Sequence, residues 1–168
     1  MTIQRNYLYG LLVATLTWSG SLFAQTSIPF DVTITIEDSC ELTTPATDMG
    51  FGTVQLLNTN YTATSTVSVT CTDDAAYDLE LDQGGNDDGT TRRMADAGVT
   101  NFVSYRLYSD DGHSTLWGDG ATFGSVNAGT GTGIEQDITV YGRVESGDNA
   151  TTPPAGAYSD TVTVSVTF

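Results

Sequence analysis

Between residues 28 and 36 the apolar positions fall strictly on alternate residues: Ile28, Phe30, Val32, Ile34 and Ile36, with Asp31, Thr33 and Thr35 between them. In an extended chain this spacing gives one apolar face and one polar face. β-branched residues, which suit a pleated surface, dominate the run. A strand of this kind needs a partner for both its backbone and its greasy face. It is either the first strand of its own domain or a strand made for insertion into another chain. At the far end, residues 158–168 alternate in the same way, with Tyr158, Val162, Val164, Val166 and Phe168 on one side. That run stops on the terminal residue, so no following strand is expected to cover its flank. Only three residues separate Ile36 from Cys40. A strand tethered so closely is not expected to fold back beside its own C-terminal strand. Insertion into the next copy, by strand addition between chains, relieves both problems. Such a contact is head-to-tail and builds a filament unless it closes into a ring.

Further strands are predicted at 40–43, 49–56, 64–71, 76–82, 102–108, 115–117 and 136–144, separated by turn-forming residues. The inward set of 63–71 is Ala63, Val67, Val69 and Cys71, and that of 77–81 is Tyr77, Leu79 and Leu81. Gly- and Asp-rich stretches at 82–89, 109–113, 118–133 and 145–157 form the connections. Ser109-Asp110-Asp111-Gly112-His113 reads as a hairpin turn in which Asp-Gly supplies the positive φ. No stretch carries a helical period. The fold class is therefore all-β, a sandwich of short strands.

Residues 1–24 read as a secretory signal peptide: a single charge at Arg5, an apolar run from Tyr7 to Trp18, and small residues leading to Ala24. The run is too short and too interrupted to span a membrane. The exported remainder, 25–168, is long enough for one domain with a full core. The whole chain has 5 basic and 21 acidic residues and no lysine. Without Arg5 the balance is 4 against 21, a net charge of −17. Such a surface repels phosphate backbones and anionic headgroups, which argues against nucleic acid as a partner. Cys40 and Cys71 are the two cysteines, and in an exported chain they read as one disulfide. Closing a loop of about 30 residues contributes roughly 3–4 kcal/mol on the chain-entropy view.

Catalytic and metal chemistry finds little support. His113 is the single histidine, so a metal site built on the two cysteines lacks ligands. The same histidine, beside Asp110 and Asp111 in a turn, has no nucleophile elbow to serve. Asp73-Asp74 and Asp87-Asp88 are carboxylate pairs that a chain this acidic produces by chance. Trp117, the one tryptophan after the leader, reads as core rather than as a sugar platform. The loop Asp82-Gln83-Gly84-Gly85-Asn86-Asp87-Asp88-Gly89 has oxygen ligands and glycines suited to calcium, but not the spacing or closing glutamate of an EF-hand. No cofactor is expected and the chain is not read as an enzyme.

Several blocks remain in order along the mature chain: the alternating strand ending before Cys40, Val67-Ser68-Val69-Thr70-Cys71, Tyr105-Arg106-Leu107-Tyr108, Trp117-Gly118-Asp119-Gly120, Thr139-Val140-Tyr141-Gly142-Arg143-Val144, and Pro154-Ala155-Gly156-Ala157-Tyr158-Ser159-Asp160-Thr161-Val162-Thr163-Val164. In these the chain resembles the spore coat protein U domain family, which includes pilins of the archaic (Csu-type) chaperone–usher pathway. The resemblance implies an incomplete immunoglobulin-like sandwich (39–168) lacking its last strand, preceded by a donor segment (25–38). It implies as partners a periplasmic chaperone that lends a strand, an outer-membrane usher, and identical or related subunits in a head-to-tail fibre. Ile28, Phe30, Val32, Ile34 and Ile36 would be the plugging side chains. Val162, Val164, Val166 and Phe168 would line the acceptor groove and the chaperone contact. The implied place is the cell surface, reached through the periplasm, with adhesion and biofilm formation as the role. The alternatives are a secreted spore-coat protein or a monomeric sandwich module binding carbohydrate or calcium.

Overall fold

The structure is a computed structural model, and it describes residues 24–44 and 46–168. The leader reading of 1–24 lies outside the described residues except for Ala24. The chain divides after Thr35. In the first unit, the described residues 24–35 form neither helix nor strand. Their apolar side chains are exposed, from 83% at Val32 to 91% at Ile28.

The second unit, from Ile36 onward, is all-β among the described residues. Its strands are β1 (Cys40–Thr44), β2 (Tyr61–Cys71), β3 (Ala76–Leu81), β4 (Arg92–Ala95), β5 (Phe102–Tyr108), β6 (Asn127–Thr130), β7 (Glu135–Val144) and β8 (Val164–Thr167). They form a five-stranded sheet in the order β1-β2-β7-β5-β4 and a three-stranded sheet in the order β6-β3-β8. All ladders are antiparallel. Period-two alternation turns Val67, Val69 and Cys71 of β2 and Val140 and Val144 of β7 into the core. Opposite them come Tyr77, Leu79 and Leu81 of β3. Ala63 follows the same parity but is only half-buried. Trp117 is completely buried and donates its indole N–H to the Leu79 carbonyl at 2.9 Å, so it is a core residue. Cys40 lies opposite Cys71 in the β1–β2 register, and the two are joined as a disulfide.

The strand expected at 49–56 does not form. Gly52 there takes a positive φ of 75°, and Met49 and Phe51 pack against bare backbone at Gly142 of β7. The 115–117 stretch makes only single bridges, Leu116 to Tyr108 and Trp117 to Ser125. Two strands were not foreseen. β4 (Arg-Arg-Met-Ala) lacks an apolar period, and β6 (Asn-Ala-Gly-Thr) is built from residues with poor strand preference. The 109–113 turn joins β5 to Leu116 as expected, but its positive φ falls on His113 rather than on Asp111 or Gly112.

Candidate functional site: an open apolar groove

The C-terminal segment changes sheets. Ser159 exchanges both backbone hydrogen bonds with Ala95 at the β4 edge, at 2.9 and 3.0 Å. Val164–Thr167 then pairs with β3 in the other sheet. For this reason only four of the residues in 158–168 form a ladder. Crossing between sheets leaves a cavity of about 410 Å³ under the crossing segment. Val67, Val140 and Leu107 of the five-stranded sheet line it, together with Leu81 and Val164 of the other sheet and with Met49, Phe51 and Met94.

Along the last segment, Val162, Val164 and Val166 are half-buried while Thr161, Thr163, Ser165 and Thr167 are exposed. Val162 and Val164 line the cavity, and Val166 packs against the core beyond it. Phe168, expected on the same face, is 62% exposed and does not line it. Thr163 turns both backbone groups toward β3: its C=O accepts from Asp82 N–H at 3.0 Å, and its N–H donates to Asp82 Oδ1 at 2.9 Å. Backbone direction alternates like side-chain direction along an antiparallel strand. The groups of Val162, Val164 and Val166 therefore point to the opposite edge, where no strand pairs with β8 among the described residues. Val162 and Val164 thus present apolar side chains to the cavity and unladdered backbone to the edge, and Val166 continues the same edge beyond it.

One end of the cavity is closed by Asp160. Its carboxylate accepts from Tyr105 Oη at 2.6 Å, from the Gly85 N–H at 2.9 Å and from Asn86 Nδ2 at 2.9 Å. Burial, followed by this hydrogen bond, pushes the Tyr105 phenol well above its ordinary pKa. Asp82 likewise accepts from Gly84 N–H and Thr163 N–H, and Asp88 from Thr90 and Thr91. Carboxylates of the 82–89 loop and its neighbour thus hold backbone in place. Beneath them the buried Arg92 guanidinium donates to the carbonyls of Leu81, Asp82 and Trp117 at 2.8, 2.8 and 3.2 Å. Burial draws its pKa down.

Segment 46–51 forms the remaining wall. Thr47 N–H donates to Thr66 O, Thr66 N–H donates to Thr47 Oγ1, and Ser65 Oγ donates to Thr47 O. Gly142 leaves room for this wall, since a Cβ there would collide with Met49 Sδ. Asp160 and Gly142 both stand in the motif blocks read from the sequence, yet neither had a role there. Their parts are set by partners 55 or more residues away in Asp160's case, which spacing does not reveal. Met49, Met94, Arg92 and Thr47 carried no sequence signal. His113 packs edge-on against the rings of Tyr108 and Tyr141 and lies away from the cavity lining.

The sequence model of the spore coat protein U domain matches residues 26–165. The chain belongs to the spore coat protein U domain family. Protein U of Myxococcus xanthus is 39% identical over 77 residues, which cover 46% of this chain and 40% of that protein. The fold is similar to that in the crystal structure of the CsuC–CsuE chaperone–tip adhesion subunit pre-assembly complex from archaic chaperone–usher Csu pili of Acinetobacter baumannii. That match has a TM-score of 0.55 and 23% identity over 80% of this chain and 40% of the other. This spore coat protein U domain thus spans two fifths of the length of either protein.

Proposed function

We propose that this protein is a structural subunit of an archaic chaperone–usher surface fibre and polymerises by strand donation. Residues 25–38 of one subunit enter the groove of the next, with Ile28, Phe30, Val32, Ile34 and Ile36 as the plugging side chains. They pair with the free edge of β8 at Val162, Val164 and Val166. Before assembly a periplasmic chaperone fills the same groove, and an outer-membrane usher exchanges the two strands. Residues 1–24 direct export and are removed in the process, leaving 25–168, and the fibre serves adhesion and biofilm formation.

The observation that carries this reading is the pairing of an open apolar cavity with an unladdered edge on the same residues of the last strand. An incoming strand meets apolar contacts and backbone partners together, which is what strand addition requires. A calcium-binding module is less well supported, because the carboxylates of the 82–89 region already accept from protein donors. A spore-coat assembly built by the same exchange would differ in its location, which electron microscopy of the assembled material decides. The direct test is deletion of residues 25–36. The truncated subunit is expected to form a complex with the chaperone but no fibres; fibres built from it would refute the proposal.

A further inference from the structure

Beyond residue 24 the chain contains two methionines, Met49 and Met94. They lie on different elements, the 46–51 wall and β4, yet both are half-buried and both line the groove. Met49 seats its sulfur over the bare backbone of Gly142. Thioethers pack well against irregular apolar surfaces, and they are also the side chains most readily converted from apolar to polar by an oxygen atom.

We propose that Met49 and Met94 are oxidation sites that control whether the groove accepts a strand. This inference rests on the strand-donation reading and adds a regulation to it. At each sulfur one molecule of hydrogen peroxide transfers one oxygen atom: an S–O bond forms, the O–O bond breaks, and the second peroxide oxygen leaves as water. The sulfur loses two electrons and the peroxide gains them. Most hydroxyls lining the groove already commit their protons to protein acceptors, Thr47 Oγ1 to Ser65 Oγ and Tyr158 Oη to the Pro154 carbonyl among them. Ser65 Oγ donates to Thr47 O, and Tyr105 Oη donates to Asp160. A sulfoxide covered by the apolar face of a strand would be a buried acceptor to which that face offers no donor, which is costly. An occupied groove, conversely, shields both sulfurs. The empty subunit is oxidation-sensitive and the assembled one is protected.

The test uses the full-length mature subunit, hydrogen peroxide, and a fluorescent synthetic peptide of residues 25–38. Peroxide should add one oxygen to each methionine of the unloaded subunit, read by peptide mass mapping, and none when the peptide is bound. Peptide affinity should fall roughly ten- to a hundredfold after oxidation. The volume-conserving M49L/M94L variant should bind before and after peroxide with equal affinity. Unchanged binding by subunit carrying both sulfoxides would overturn the inference alone, as would equal loss of binding in the leucine variant or failure of the unloaded methionines to oxidise. If the untreated subunit does not bind the peptide, strand donation itself falls and this inference with it.

Discussion

Truncating Phe30 to alanine tests the assignment of the donor face most sharply. The ring is 84% exposed, so nearly all of its apolar surface remains to be covered. Full burial of such a side chain stabilises by about 1.5–3 kcal/mol. Shortening it inside a filled groove adds the energy of the void left behind, for a typical cost of about 3–5 kcal/mol. The groove has the flexible Met49 and Met94 among its walls, which can settle into part of that void. The lower end, about 3 kcal/mol, is expected, equivalent to an affinity loss of roughly 150-fold. Thr33 occupies the opposite parity, and its change to alanine should shift affinity by about twofold or less. Differences between related complexes reside mainly in dissociation. The assay is therefore the release rate of labelled 25–38 peptides from the full-length subunit during a chase with unlabelled peptide. Equal effects of the two substitutions, or a larger one at Thr33, would refute the alternation argument and the donor face derived from it.

Gly142→Ala should lower stability by about 1–3 kcal/mol through collision with Met49. Adding Met49→Ala should restore part of that loss, and strictly additive urea midpoints would contradict the contact. Burial, and then hydrogen bonds to Asp160 and Glu145, raise the pKa of Tyr105 and Tyr108 respectively. Folding thus favours their neutral forms, and this contribution is complete below the ordinary tyrosine value near 10 and drains away as pH rises above it. Tyr105→Phe should flatten the alkaline limb of an unfolding profile; an unaltered slope would be inconsistent with the assignment. Val99, exposed in the β4–β5 turn, holds a φ of 52°, where a β-branched residue is strained by roughly 1–2 kcal/mol. Val99→Asn should raise the thermal midpoint by a few degrees, and a fall would argue against strain at this turn.

The legible part of the fold is the part governed by period two. β2, β3, β5 and β7 declare their inward faces because apolar and polar residues alternate along them, and their buried residues follow. β4 and β6 are not legible. Arg92 is buried as a donor to three carbonyls that lie at a distance in sequence, and β6 is placed by its ladder with β3 despite its composition. The last segment shows the limit most clearly. Its alternation suggested one continuous strand, whereas Ser159 belongs to one sheet and Val164 to the other. The groove arises from that crossing, and no local pattern encodes it. Val162, Val164 and Val166 were recognisable as one face; Asp160, Gly142 and the 46–51 wall were visible as letters without their partners.

The root of the N-terminal segment has a mechanical consequence. Ser39 and Thr72, each one residue outside the Cys40–Cys71 bridge, exchange hydrogen bonds, and the Thr72 hydroxyl also reaches the Glu37 carbonyl. A pull on residue 36 therefore enters a covalent cross-link before it can peel β1. It passes directly into β2, the longest strand, whose register with β7 runs from Thr70 opposite Glu135 to Tyr61 opposite Val144. Tension is thus distributed as shear along many bonds at once, and the domain should extend only at loads that rupture that whole ladder together.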